Sequence, residues 1–196
     1  MNDTATPPPV RHYWSDPRAW GGEKRPNGAA LAALRRGLGH EPGSVPAVIP
    51  YYRTLGANGH LTNRLWAEHI TLGLFAVHQQ SKTELVHTPG VSFAAALARL
   101  RAADPAGADG LDRRFAAAAT ATSRTELAGH LRSLVTRLRA LPDGGFDYDR
   151  LYRDIRDWDQ PDKIDRIRRR WGAHYFVTRN QPDDTATVES DLASNE

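Results

Sequence analysis

The stretch LTNRLWAEHITLGLFAVHQQ, residues 61–80, decides the architecture. Leu65, Trp66, Ile70, Gly73, Leu74 and Val77 return every three or four residues and cover more than one stripe. That is the broad apolar face of a helix in the middle of a bundle. Upstream, Asn27 caps a predicted helix from Gly28 with Leu31, Leu34 and Leu38 on one face, ended by Gly37 and Gly39. Three prolines make 41–50 a loop, and 48–55 reads as a short helix or turn. Trp14 and Trp20 flank the start of a Gly/Pro-rich lead-in at 15–27. Downstream, 81–90 is a polar connector, and Ser92 caps a helix over 93–101 with Phe93, Leu97 and Leu100 inward. Pro105, Gly107 and Gly110 mark a boundary between two halves.

The second half repeats the theme. A helix over 111–122 is followed by Ser123-Arg124-Thr125-Glu126, a capping box, and by Leu127, Leu131, Leu134, Val135 and Leu138. Asp147 caps a helix with Tyr148, Leu151, Ile155 and Trp158. Pro161 opens the last one, with Ile164, Ile167, Trp171 and Tyr175 inside. No stretch alternates like a strand for more than a few residues. The reading is therefore all-α: two small helical subdomains, 11–105 and 106–180, forming a bundle, with disordered ends at 1–10 and an acidic tail at 181–196.

Charge is unevenly placed along the chain. The net value is +3, but 181–196 holds five acids and no base. Residues 11–179 carry 26 basic against 17 acidic side chains, and 23 of those bases are arginine. A GC-rich genome accounts for arginine over lysine but not for the excess of positive charge, which favours a polyanion partner. With no cysteine, thiolate metal sites, disulfides and cysteine nucleophiles are excluded. The N-terminus lacks a basic and then apolar signal segment, and a cytoplasmic protein is expected.

Catalytic signatures are weak. No Gly-rich phosphate loop is present, the histidines lack zinc-ligand spacing, and no metal or other cofactor is expected. Asp149/Arg153, Arg150/Asp154 and Arg153/Asp157 read as a solvated, ion-paired helix face rather than a two-metal centre. Arg-x-x-x-x-His, as in metal-independent ribonucleases of the HEPN type, occurs as Arg35/His40, Arg64/His69 and Arg169/His174. About one match is expected by chance from 23 Arg and 8 His in 196 positions. Arg64/His69 starts the most hydrophobic helix, where His69 reads as a core-edge residue. A HEPN-like ribonuclease and a helical protein-interaction module remain the alternatives to nucleic-acid binding.

The basic residues are ordered. Lys163, Arg166, Arg169 and Arg170 share an arc opposite Ile164, Ile167 and Trp171, and Arg132 lies beside a complete apolar stripe. Arg35, Arg36, Arg53, Arg99, Arg113, Arg114 and Arg124 extend the candidate nucleic-acid-binding set. No aromatic platform accompanies them, so phosphate tracking rather than base stacking is expected.

The order of segments resembles a known family. Val45-Pro46-Ala47 leads to Tyr51-Tyr52-Arg53, and a hydrophobic helix follows with Leu65-Trp66 and Phe75-Ala76-x-His78. Then come Ser92-Phe93 with its alanine run, Asp112-Arg113-Arg114-Phe115, His130-Leu131-Arg132, and Phe146-Asp147-Tyr148. Over residues 27–176 this is similar to the CasB family, the small subunit of the type I-E CRISPR surveillance complex, Cascade. The N-terminal extension, the loop at 102–110 and the acidic tail depart from it. The resemblance implies a non-catalytic, all-helical subunit. Two copies would pack head to tail against crRNA-bound backbone subunits and the large subunit. A basic face would stabilise the R-loop by holding the displaced non-target DNA strand beside crRNA and target DNA.

Overall fold

The computed structural model describes residues 11–177, so the expectations for 1–10 and 181–196 lie outside the described residues. The described residues form seven α-helices: α1 Gly28–Arg36, α2 Asn63–Gln79, α3 Phe93–Ala103, α4 Ala108–Thr120, α5 Arg124–Leu138, α6 Tyr148–Asp157 and α7 Pro161–Gly172. A single π turn, Ala173–Val177, continues α7. The fold is all-α, and no helix among the described residues is long and apolar enough to cross a membrane.

Local chemistry sets the helix starts. The side chains of Asn27, Thr62, Ser92, Ser123 and Asp147 each accept the backbone N–H three residues on, satisfying one orphan donor of the first turn. The capping box is offset by one residue: Glu126 reaches back to the N–H and hydroxyl of Thr122, not to Ser123.

Helix α2 is the axis. Every residue from Ala67 to Gln79 is buried. α1 covers one side of α2, and α5 and α6 cover others, so elements from both sides of the 105/106 boundary enclose it and contribute to one core. Gly73 is required where α1's end crosses: a Cβ there would lie 2.4 Å from Leu38 Cδ2. Removing α2's side chains from water is the main favourable term, of about 25 cal/mol per Å2.

The lead-in is more structured than its Gly/Pro content suggests. Two 3₁₀ turns, Tyr13–Ser15 and Pro17–Trp20, bury Tyr13, Trp14 and Trp20. Trp14 Nε1–H donates to Asp149 Oδ1 on α6 at 2.7 Å, and Trp20 Nε1–H donates to the Tyr13 carbonyl at 2.8 Å. His12 stacks on Trp14 with centroids 4.5 Å apart. The connector at 81–90 also does more than join helices. Phe146 N–H donates to the Val86 carbonyl and Thr88 N–H to the Phe146 carbonyl, an isolated parallel bridge that ties the connector to the start of α6.

Candidate nucleic-acid interface

Helices α6 and α7 form a hairpin with a short turn at 158–160, and both helices place arginines on the inner edge. Spacing of three along α6 sets Arg150, Arg153 and Arg156 along one flank. Lys163, Arg166 and Arg170 line the opposite flank from α7. Together they wall a cleft of about 500 Å3 that also contains Asp147, Asp154 and Asp157. Six bases against three acids leave it positive.

The acids in the cleft are already engaged. Asp154, 6% exposed, accepts from Trp171 Nε1 at 2.7 Å and pairs with Arg170. Burial pushes its carboxyl above the usual carboxylate range, and Trp171 and Arg170 oppose that rise. Asp157 accepts a bidentate pair from Arg156 at 2.7 and 2.8 Å, which holds its carboxyl below the ordinary value. Asp147 Oδ1 caps α6, and its Oδ2 accepts from Gly90 N–H at 3.1 Å. Among the described residues, Arg150, Arg153 and Arg166 form no ion pair, so three cations in the cleft are left to attract an anion. Arg153 donates only to a backbone carbonyl, that of Asp149. Oxygen-rich polyanions satisfy such a donor set, because guanidinium forks match phosphate geometry.

This corrects the ion-paired reading of α6. The spacing of Asp149/Arg153, Arg150/Asp154 and Arg153/Asp157 suggested pairs along the helix. Instead Asp154 turns inward to α7 and Asp157 pairs with its neighbour Arg156. Arg150 loses Asp154 to α7, and Arg153 loses Asp157 to Arg156 and shares Asp149 with Trp14. Arg150, Arg153 and Arg156 were thus missed as candidate site residues, although their spacing of three was visible.

The remaining candidates are distributed. Arg169 is exposed on α7. Arg124 pairs with Asp159 at the hairpin turn and donates to Asn63 Oδ1 at 3.0 Å, joining α5, α2 and the α6–α7 turn. Arg132 is exposed but lines a different groove, of about 320 Å3, with Trp66, Ile70 and Leu74. Arg36, Arg53 and Arg113 are exposed. Arg35 donates to the Ala76 carbonyl near the C-terminal end of α2, where a cation also meets the negative end of the helix dipole. Arg99 donates to the Gly145 carbonyl at 3.0 Å and Arg114 to Gly110 at 2.7 Å.

Two of the three histidines of the ribonuclease pattern are bonded within the fold, and the third, His40, is exposed. His69 Nε2–H is shared between the carbonyls of Gly37 and His40, at 2.9 and 3.0 Å, so Nδ1 accepts from the Tyr52 hydroxyl at 2.6 Å. Burial holds this ring below the ordinary histidine pKa. With both nitrogens committed inside the fold, His69 offers neither an acid nor a base to a substrate. His174 contacts the Ser92 hydroxyl at 2.7 Å, at the start of α3.

One trio elsewhere has donor atoms close together. His87, Asp147 and Asp149 bring ligand-type atoms within 4.8 Å of one another. Tyr148 N–H donates to His87 Nδ1 at 3.1 Å, so in the neutral ring Nε2 carries the proton and faces Asp149. That geometry stabilises the first turn of α6 and leaves no ring lone pair for a cation.

The bundle and its hairpin have known counterparts. The sequence pattern of the family described as CRISPR-associated protein Cse2 matches residues 30–176. The chain belongs to the Cse2 family. A Cse2 protein of Thermus thermophilus is 30% identical over 153 residues, covering 76% of this chain and 79% of that protein. The solved structure of a Cse2-family protein from Thermus thermophilus is 29% identical and superposes with a TM-score of 0.61. It covers 82% of this chain and 92% of that one. CasB from Thermobifida fusca is also 29% identical, with a TM-score of 0.58 over 75% of this chain and 83% of that one. Membership makes the chain a subunit of a CRISPR complex, in agreement with the CasB resemblance.

Proposed function

We propose that this Cse2-family subunit is a non-catalytic, sequence-independent nucleic-acid clamp that stabilises the R-loop by holding the displaced non-target strand. The observation that carries this reading is the α6–α7 cleft, where Arg150, Arg153 and Arg166 lack ion-pair partners among the described residues. In an RNA-guided complex, base pairing supplies sequence choice and the strand exchange is nearly balanced, so a few backbone contacts decide how far it runs. Arginines without an aromatic platform suit that task, because they contact phosphates whatever the bases are. The partners implied are crRNA, target DNA, the crRNA-bound backbone subunits, the large subunit and a second copy of the chain packed head to tail, in the cytoplasm.

The test is R-loop yield on a matched target, with the complex assembled from charge-reversed subunits. One variant combines Arg150→Glu and Arg166→Glu; another combines Arg132→Glu and Arg169→Glu. Reversal in the cleft should depress R-loop yield while guide-RNA loading and subunit incorporation stay normal. Full R-loop yield from a complex containing the cleft variant overturns the reading. For the isolated chain, affinity for DNA should fall steeply with salt, by a slope of roughly −0.7 to −0.9 per phosphate contacted.

A further inference from the structure

The described chain ends beside the cleft. After α7 the π turn Ala173–Val177 continues the helix and packs against α3. Tyr175 stacks on Phe115 with centroids 4.0 Å apart, and its hydroxyl donates to Asp112 at 2.6 Å, which fixes the turn. His174, within that turn, lies near enough to Arg150 and Arg170 for both to help keep its ring below the ordinary pKa, after burial. The exit of the chain at Val177, 61% exposed, is therefore at the Arg150/Arg170 end of the groove.

Nineteen residues follow, Thr178 to Glu196. They hold Asp183, Asp184, Glu189, Asp191 and Glu196 against the single base Arg179, and Val188 and Leu192 are their only large apolar side chains. Such a segment has little to bury in an apolar groove and much to offer a cationic one. Six residues separate Val177 from Asp183, a span of up to about 20 Å when extended. Arg170 lies seven residues before Val177 and Lys163 seven before Arg170, each interval only ~10 Å along a helix. The carboxylates at 183 and 184 can thus meet Arg150, Arg166 and Arg170, and those further on can reach the rest of the cleft.

We propose that the acidic segment 181–196 occupies the α6–α7 cleft of its own chain and stands in for nucleic-acid phosphates there, so that a strand must displace it to bind. This rests on the cleft being the nucleic-acid site, and it adds regulation to that site. The tail would screen the cleft against weak, opportunistic anions, while a longer polyanion delivered at high local concentration would displace it.

The chain contains no cysteine, so a paramagnetic label can be placed on the full-length protein at one site through Ser194→Cys. At low salt the label should broaden the amide signals of Arg150, Arg153, Arg166 and Arg170 above those of Arg36 and Arg113. The effect should vanish at ~0.5 M salt, where the screening length falls to a few ångströms. Absence of selective broadening at low salt overturns the proposal. Asp183→Asn, Asp184→Asn, Glu189→Gln, Asp191→Asn and Glu196→Gln together should tighten binding of a single-stranded oligonucleotide about tenfold at low salt, within the usual range of coupling between sites. Selective broadening together with unchanged oligonucleotide affinity upholds the tail contact and strikes out the cleft as the nucleic-acid site. The two ideas therefore fail separately.

Discussion

Helix α2 and the α6–α7 hairpin both carry charged and titratable side chains, and treat them in opposite ways. On α2 Glu68, His69, Thr71 and Gln79 are enclosed and bonded within the fold. Glu68, with no exposed surface, accepts from His12 Nδ1 at 3.0 Å, from the backbone N–H groups of Arg53 and Thr54 at 2.9 and 2.8 Å, and from the Thr54 hydroxyl at 2.6 Å. It holds the lead-in and the loop after the 3₁₀ segment Pro46–Tyr51 to the central helix. On the hairpin, Arg150, Arg153 and Arg166 line the cleft and form no ion pair among the described residues. The difference teaches where function can be changed without unfolding: polar groups with several partners serve the fold, and those facing a groove without partners are available to a ligand.

The largest effect is expected at Glu68. Glu68→Ala leaves several buried donors without an acceptor and should cost about 3–5 kcal/mol in urea unfolding. Glu68→Gln keeps one acceptor oxygen and should cost clearly less. A loss under ~1 kcal/mol for the alanine variant would break the contrast between the two regions.

Next in size is a pH effect from α2. His78 is fully buried, contacts the Tyr148 hydroxyl at 3.0 Å through Nδ1, and has its pKa pushed down to about 3, mainly by burial. A histidine depressed in the folded state is neutral there while the unfolded chain takes up a proton below about 6.5, so stability falls with pH from that point toward 3. Between pH 7 and pH 5 this group alone should remove about 2 kcal/mol. Chemical denaturation of His78→Gln at both values should show a drop smaller by that amount. An identical drop in the variant would assign the pH dependence elsewhere, to His69 or His87, which burial also depresses.

Asp147 stands between the two regions, since it caps α6 and also accepts from Gly90 N–H. Asp147→Ala should cost about 1–2 kcal/mol in thermal unfolding, the upper part of the range for a lost cap. Asp147→Asn should recover most of it.

The smallest stability effect belongs to the cleft. Arg166→Ala should change stability within ~0.5 kcal/mol, as expected of an exposed side chain. It should nonetheless reduce the salt slope of DNA binding by about one. Loss of several kcal/mol would show that the hairpin depends on this arginine and would erase the distinction.

Most of the fold was legible because its signals are local. Asn27, Ser92, Ser123 and Asp147 start helices where their side chains reach an N–H three residues on, and a three-residue signal survives in the bare sequence. The burial of Trp14 and the Glu68 network were not legible, because their partners lie far away in sequence, 56 residues for His12 to Glu68. The cleft was half legible. The arc of Lys163, Arg166 and Arg170 follows from the helical period. That Arg150, Arg153 and Arg156 face it depends on the hairpin turn and on Asp154 pointing inward. A period on one helix cannot distinguish an arginine paired with its own helix from one turned toward another.

The contact between Trp14 and Asp149 spans 135 residues. On the ribosome, the lead-in must therefore wait until α6 has been synthesised and cleared the exit tunnel. The helices between them can form earlier from local contacts, but the tryptophan surface stays exposed meanwhile. Closing this loop late leaves a window for chaperone binding. Pausing translation just before and just after α6 emerges, with limited proteolysis at the Gly21-Gly22 turn as the readout, would time that closure.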